Sequence, residues 1–388
     1  MLTTSLRRGV LALAAVAVAS VALIGCSADP SAEEPAGADA PAGSGAPAVD
    51  EFLAEVTQAH DSYPVPTEPV DGVAELAGGT VYYIPITLRA PTFVTIQASL
   101  EEALAAVDIT LVSCPADGNP ANIAACVDQA IAAGALGIVS DAIPYQMGAE
   151  AFDKARAAEV PVVIANQGPN EEDFPADETL AYIPSSAVSS DRAMLHWIAQ
   201  DSGGDATILV SRSADGYWSS SFMQTALDEL PEYCPDCTIA ATIDISTATQ
   251  AQLQSNIAAE LISNPDIGYL ITDFAQYIPQ ATGAIQDSGR TDVKFLTGAA
   301  SLGAVQGVAG GAFAGVAAEA SAFLGYQEAD TLLRLVTGAS VSELEPGSNP
   351  VRLFTADTLP EKIDEEAERS GEWFGPTSFK DDYLALWQ

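Results

Sequence analysis

The sequence predicts an α/β protein of two lobes, each a doubly wound parallel sheet. Short apolar runs rich in β-forming residues alternate with segments of helical period, and the alternation runs twice, over 81–183 and again over 191–296. The chain also has 388 residues, 48% of them hydrophobic, which is enough for two cores at about 100 to 200 residues each.

Arg7 and Arg8 precede an apolar run over 10–21, and Leu23, Ile24, Gly25 and Cys26 close it. Such a run is short for about 30 Å of hydrocarbon and has the flanks of a secretory leader. The expectation is a lipoprotein signal peptide over 1–25, cleaved before Cys26, whose thiol takes a lipid; an ordinary leader or an uncleaved membrane helix is the alternative. Residues 27–49 are almost entirely Ala, Pro, Gly, Ser, Asp and Glu, so no apolar face can form and a tether is expected. A short helix over 50–60 with Phe52, Leu53 and Val56 on one side is followed by an extended stretch set by Pro64, Pro66 and Pro69. Residues 26–78 thus form the anchored tether and leading segment.

The first block opens with a strand over 81–86 and a helix over 93–107, where Ile96, Leu100, Leu104 and Val107 recur at helical spacing. A strand over 109–113 leads to a helix that Asn119 caps and Pro120 starts, with Ile123, Val127 and Ile131 on one face. Strands over 136–140, 160–165 and 180–183, with a helix over 148–158, complete the block. In the second block helices over 191–200, 220–230, 247–263 and 276–287 alternate with strands over 206–211, 238–243, 267–272 and 293–296. Sheets wound this way bind ligands beyond their carboxyl strand ends, and two lobes can turn those ends towards one cleft.

Lys and Arg total 14 against 53 Asp and Glu, a net charge of -39 that repels nucleic acid and anionic headgroups. It reads as a solvated exterior surface rather than a specific acidic patch. With Cys26 assigned to lipid, Cys114, Cys126, Cys234 and Cys237 remain, an even set that suggests two disulfides in an oxidising compartment. Three pairings are open, and locality favours Cys114 with Cys126 and Cys234 with Cys237. The Cys-Pro-Asp-Cys spacing also fits a redox or metal pair, but no thioredoxin-like strand and helix surround it. A second ligand pair is missing too, with His60 and His196 distant and isolated.

From 79 to 338 the chain resembles the ribose-type, or type 1, periplasmic binding proteins, the substrate-binding lipoproteins of bacterial ABC importers. The resemblance rests on Val81-Tyr82-Tyr83-Ile84-Pro85-Ile86 with Pro91-Thr92-Phe93, Asp117-Gly118-Asn119-Pro120, the run from Ala132 to Val139, and Val160-Pro161-Val162-Val163. Asn264-Pro265-Asp266-Ile267 and the stretch from Gly289 to Lys294 extend it. It implies a three-crossover hinge, with 79–184 and 320–349 in the N-terminal lobe and 185–319 and 350–388 in the C-terminal lobe. It further implies a monomeric receptor without cofactor or metal, which closes on a small molecule and delivers it to a membrane permease, as in sugar transport.

The resemblance also maps the pocket. Phe93 matches the family's aromatic after the first strand, which stacks on a sugar ring, although anchoring the first helix is its structural alternative. The family's Asp-Arg after the fourth strand reads Asn166-Gln167 here, and an Arg expected near Ser219 is absent, with Tyr217 and Trp218 beside it. The Asn-Asp after the strand ending at Thr272 aligns approximately with Asp273-Phe274; Asp273 could equally cap the following helix. A further Asp falls at about Ala299, and the closing Gln corresponds to Glu319. Tyr145, Arg89 and Arg212 complete the candidates. These departures remove charged clamps and add aromatic surface, which suits a sugar-like ligand with flat apolar faces, or a cation held by Asp273 and Glu319.

Two other functions use the same architecture. A cleft enzyme would need a nucleophile with its base, a carboxylate pair or a metal cluster, and the two isolated histidines supply none. No glycine-rich phosphate loop follows the first strand. A receptor presenting ligand to a sensor kinase or chemoreceptor would have this same sequence. A repressor of this fold would need a basic helix-turn-helix where the leader and tether stand.

Overall fold

A computed structural model describes residues 46–168, 172–214, 217–246, 249–341 and 349–388, with side chains described from 51 onward and, in the sixth helix, from 221. Cys26 and the leader lie outside these residues. Two sheets organise the chain. The first has five parallel strands in the order β2-β1-β3-β4-β5: β1 (Thr80–Pro85), β2 (Thr110–Ser113), β3 (Gly137–Asp141), β4 (Val162–Ala165) and β5 (Leu180–Ile183). The second has the order β11-β10-β9-β8-β6-β7, from β6 (Thr207–Ser213), β7 (Thr238–Ile245), β8 (Tyr269–Thr272), β9 (Lys294–Gly298), β10 (Gly315–Glu319) and β11 (Val351–Thr355). All its pairings are parallel except β10 with β11, an antiparallel edge that the strand-helix alternation did not reveal.

Helices cover both faces of each sheet, so the central strands are buried on both sides and read as continuous apolar runs. On the first sheet α2 (Pro91–Ala105) and α10 (Ser321–Thr337) cover one face, while α3 (Pro120–Ala133) and α4 (Ala149–Ala157) cover the other. On the second, α5 (Ala187–Asp201) and α6 (Tyr217–Tyr233) lie opposite α7 (Leu253–Ser263) and α8 (Ile278–Ser288), and α9 (Leu302–Ala309) packs beside β10 and β11. The sequence signals act as expected at α3. Asn119 Oδ1 accepts the Ala121 N–H at 2.9 Å, Pro120 takes the first position, and Gly134 ends the helix at φ 63°.

The chain crosses between lobes after β5, after β10, and between α10 and β11, giving the expected hinge. The two ends of the chain depart from the expected partition. Helix α1 (Ala46–Val56) packs on α5 and α6, burying Leu53 and Val56 in the second lobe. The chain then returns to the first lobe, where Tyr63 stacks on Phe323 of α10 at 4.8 Å between ring centroids. Beyond Thr355 the tail, expected in the C-terminal lobe, also goes to the first. Helices α11 (Glu365–Ser370) and α12 (Phe379–Leu386) pack on α10, and α11 on α2 as well. The reason is apolar area: Phe379, Tyr383 and Trp387 are buried against the rings of Phe323 and Tyr326.

Both local cysteine pairings are present. Cys114 and Cys126 are bonded, tying α3 to the edge strand β2, and Cys234 and Cys237 are bonded, tying the end of α6 to the edge strand β7. Among the described residues no helix is long and apolar enough to cross a membrane.

Candidate functional site

The carboxyl ends of the strands gather polar side chains that the strands themselves cannot satisfy. In the first sheet β3 ends at Asp141 and β4 runs into Asn166 and Gln167. Asn166 holds φ 56°, a left-handed conformation that asparagine tolerates better than most residues, and its Nδ2 donates to Asp141 Oδ1 at 2.8 Å. Tyr83 Oη donates to the other oxygen of Asp141 at 2.6 Å. Asn166 and Gln167 are 7% and 6% exposed, and their amide oxygens have no hydrogen-bond partner. Burial raises the Asp141 carboxyl to about 6, against the bonds from Tyr83 and Asn166 that favour its charged form.

In the second sheet Asp273 follows β8, buried, with Oδ2 accepting the Ser213 N–H at the end of β6 and Oδ1 open. Burial pushes its carboxyl up to about 7. Asp191 on α5 is buried nearby with Oδ2 open; burial and then the Asp273 charge raise it well above the usual carboxylate range. Asp273 therefore bonds back to β6, beyond the simple cap that was the alternative. Gly298, ending β9 beside it, is needed for close approach: a Cβ there would lie 2.2 Å from the Asp273 carbonyl oxygen.

Glu319 ends β10 at the second crossing. Its Oε2 accepts the Ser186 N–H at 3.1 Å, and Ser186 Oγ donates to the Asn349 carbonyl at 3.1 Å, so one short chain of bonds links all three crossings. Although partly exposed, Glu319 is surrounded by protein, and burial pushes it up to about 7. On α10 Glu328 is fully buried with both oxygens open. Burial, then the charges of Asp141 and Glu319, hold its carboxyl well above normal.

The other candidates divide. Phe93 in α2 and Phe274 are partly exposed with one side against the core, so Phe93 both anchors its helix and keeps open ring surface. Tyr145 is a correction: it is 2% exposed, tilts against Phe152 and Phe174, and pairs its hydroxyl with Asp153 and Arg156 inside the first lobe. Its place after β3 suggested a cleft residue, but the ring fills the core beside α4. Arg212 is an edge ion pair, with Nε donating to Asp244 Oδ1 at 2.8 Å across β6 and β7. Arg89 is exposed, 3.9 Å from Asp117. The Trp218 side chain lies outside the described residues.

Asp141, Asp191, Ser186, Glu328 and Asn349 were missed. Asp141 had a signal, a carboxylate closing the buried run Ile138-Val139-Ser140. The others sit inside helices or crossings, where only tertiary contacts distinguish them. His196 packs as expected, stacked on Tyr233 at 3.8 Å and beside Phe52. Among the described residues no group of His, Cys, Asp and Glu could hold a metal ion.

Residues 81–340 match the family described as a periplasmic binding protein domain. Among solved structures, the 5-methylthioribose transporter solute-binding protein from Thermotoga lettingae TMO, in complex with 5-methylthioribose, is similar at TM-score 0.67 and 15% identity, covering 82% of this chain and 99% of that one. An ABC transporter solute-binding protein from Agrobacterium vitis bound with α-D-tagatopyranose gives 0.63 and 18%, over 73% and 96%. A carbohydrate transporter from Acidothermus cellulolyticus 11B with myo-inositol gives 0.60 and 19%, over 76% and 99%. At these identities the likeness shows the fold. A search of curated protein sequences returns no match.

Proposed function

The chain belongs to the periplasmic binding protein family, whose members are extracytoplasmic, and we propose that it is the solute receptor of an ABC importer, closing on a small polyhydroxylated molecule and presenting it to a membrane permease. The observation that carries this reading is the set of buried polar side chains at the strand ends of both sheets. Open acceptors on Asn166 and Gln167 stand beside the crossing after β5, and the one on Asp273 lies at the carboxyl end of β8 in the second sheet. Buried groups of this kind cost free energy until a ligand or water bonds them, so closure on a hydroxylated solute would repay their desolvation.

Phe93 and Phe274 supply apolar ring surface for the flat side of a sugar-like molecule. The 5-methylthioribose, tagatopyranose and myo-inositol held by the structural neighbours support this class. The reading keeps Cys26 as the lipid attachment, holding a monomeric receptor at the membrane that carries its permease.

Thermal unfolding of the mature chain against a panel of sugars and polyols tests the proposal. A true ligand at a hundred times its Kd adds about 2.7 kcal/mol and raises Tm. An unmoved Tm across neutral and amine-bearing members alike would reject it. Cys26→Ala should move the protein from the membrane fraction to the medium, and retention at the membrane would reject the lipid anchor.

A further inference from the structure

Glu319 and Asp273 stand on the same sheet with β9 between them. Strands lie about 4.8 Å apart, so two strands across is roughly 10 Å, the width of a small molecule. The floor between them is Gly298 and Ala299, which put almost no side chain into that gap. Ala299 holds φ 57°, a left-handed conformation uncommon outside glycine and asparagine, at this same strand end.

Most cations among the described residues are engaged elsewhere, and Arg352, on β11 beside the strand of Glu319, donates to the Trp373 and Thr358 carbonyls. Among the described residues the ion pairs include Arg212 with Asp244, Lys294 with Asp201, Arg192 with Glu229 and Arg334 with Asp330. None reaches Glu319, Asp273, Asp191, Asp141 or Glu328. Arg212, whose charge acts on Asp273, gives its Nε to Asp244 and its Nη1 to Gln224. The groups facing Glu319 are the carboxyls of Asp141 and Glu328, and those facing Asp273 are Asp191 and Arg212.

A second, independent observation points to a ligand. The Asn166 amide is fixed by its bond to Asp141, so its free oxygen lies within the same acidic group, and the Gln167 oxygen beside it is open too. Apart from the hydroxyls of Ser140 and Ser211, the open side-chain atoms of Asn166, Gln167, Asp273, Asp191 and Glu328 are all acceptors, while the open donors nearby, Asn349 Nδ2 and Arg352 Nε, lie at the third crossing and on β11. A partner for this surface must bring donors and positive charge.

We propose that the solute is an amine-bearing polyol or amino sugar that spans this gap, its ammonium held at Glu319 and its hydroxyls donating to Asn166, Gln167 and the open Oδ1 of Asp273. The inference rests on the solute-receptor reading and narrows it. An ammonium at Glu319 favours the charged form of that carboxyl, which burial pushes up to about 7 in the unliganded protein, so binding near neutrality releases protons. A neutral sugar would leave those protons in place.

Calorimetry of the mature chain with matched pairs decides the point: 1-amino-1-deoxy-D-glucitol against D-glucitol, and D-glucosamine against D-glucose. In at least one pair the amine should bind about tenfold tighter or more, as a charge-assisted bond requires. Its heat should depend on the buffer's ionisation enthalpy, showing proton release, and the aminoglucitol should bind more tightly at pH 8 than at pH 6. Glu319→Gln, keeping shape and polarity, should erase the preference between members of the pair, and Asp273→Asn, across the gap, should keep it. Equal or tighter binding of the neutral members overturns the inference and leaves the receptor reading standing. No binding by either member, with no Tm response to any sugar or polyol, overturns both.

Discussion

Gly325 on α10 lies so close to α2 that a Cβ built on it would stand 2.7 Å from the carbonyl oxygen of Ile96 and as near to the Leu100 nitrogen. Both contacts are backbone, which cannot rotate away. The crossing sets how deeply α10 seats between α2 and the first sheet, and it carries Glu328 towards the carboxylates at the strand ends.

Gly325→Ala should therefore destabilise the protein despite alanine's better helix propensity. Overpacking typically costs about 1 to 3 kcal/mol, more than the roughly 1 kcal/mol that alanine gains over glycine in a helix. Denaturant unfolding would show a lower midpoint. An unchanged or raised midpoint would mean that α2 and α10 separate freely.

The strand-end carboxyls give the unliganded protein an unusual pH dependence. Burial raises Glu319 and Asp273 to about 7 and Asp141 to about 6 in the folded state, whereas the unfolded chain releases these protons near pH 4. The folded state binds more protons between those values. Their contribution is full below about pH 4 and is lost as pH rises through 6 to 7. Tm of the unliganded chain should fall from pH 5 to pH 8, and Asp273→Asn should flatten the slope; an equal slope in the variant would remove Asp273 from the cause.

His196 acts in the opposite direction. Burial lowers its folded value to about 4 from an ordinary 6.5. Its contribution is present above pH 6.5 and is lost as pH falls towards 4, because the unfolded chain takes the proton first. His196→Phe keeps a ring between Phe52 and Tyr233 and should reduce the acid-side loss of stability.

Fold and site were not equally legible in the sequence. Most parallel strands were plain because burial on both faces leaves unbroken apolar runs such as Val162–Ala165, although β10, parallel to β9, was not among those expected. Strand β11 was not, since an edge strand that enters antiparallel after a helix breaks the alternation. Asn166, Gln167, Asp273 and Glu319 were named through the resemblance, and the structure puts the first three just after β4 and β8 and the last at the end of β10. Glu328 and Asp191 were not named: a carboxylate within a helix looks solvated until the neighbouring element is known. Tyr145 misled for the converse reason, a loop position whose ring turns inward.

Each disulfide fixes a helix to an edge strand, the part of a sheet with fewest partners. Cys114 and Cys126 are separated by 12 positions, and opening that loop should cost about 3 kcal/mol by chain entropy. The separation between Cys234 and Cys237 is 3, for which the same relation gives about 2 kcal/mol. Replacing the first pair by serine should thus lower the unfolding midpoint more than replacing the second. The reverse order would show that closure of the denatured chain is not what the first disulfide contributes.

The tail provides a bond between lobes outside the hinge. Glu368 on α11, which packs on α2 and α10 of the first lobe, accepts the Leu302 N–H at 2.7 Å, at the start of α9 in the second. That amide is one of the orphan donors of a helix N-terminus, and a carboxylate there is favoured by the helix dipole. Opening the lobes about the crossings must stretch or break this bond, so it restrains the open form by about 1 kcal/mol or more. Glu368→Ala should enlarge the radius of gyration of the unliganded chain in X-ray scattering, and Glu368→Gln, which keeps the acceptor, should not. Identical scattering from all three would place the opening motion where α9 and α11 move together, leaving the tail no part in restraining it.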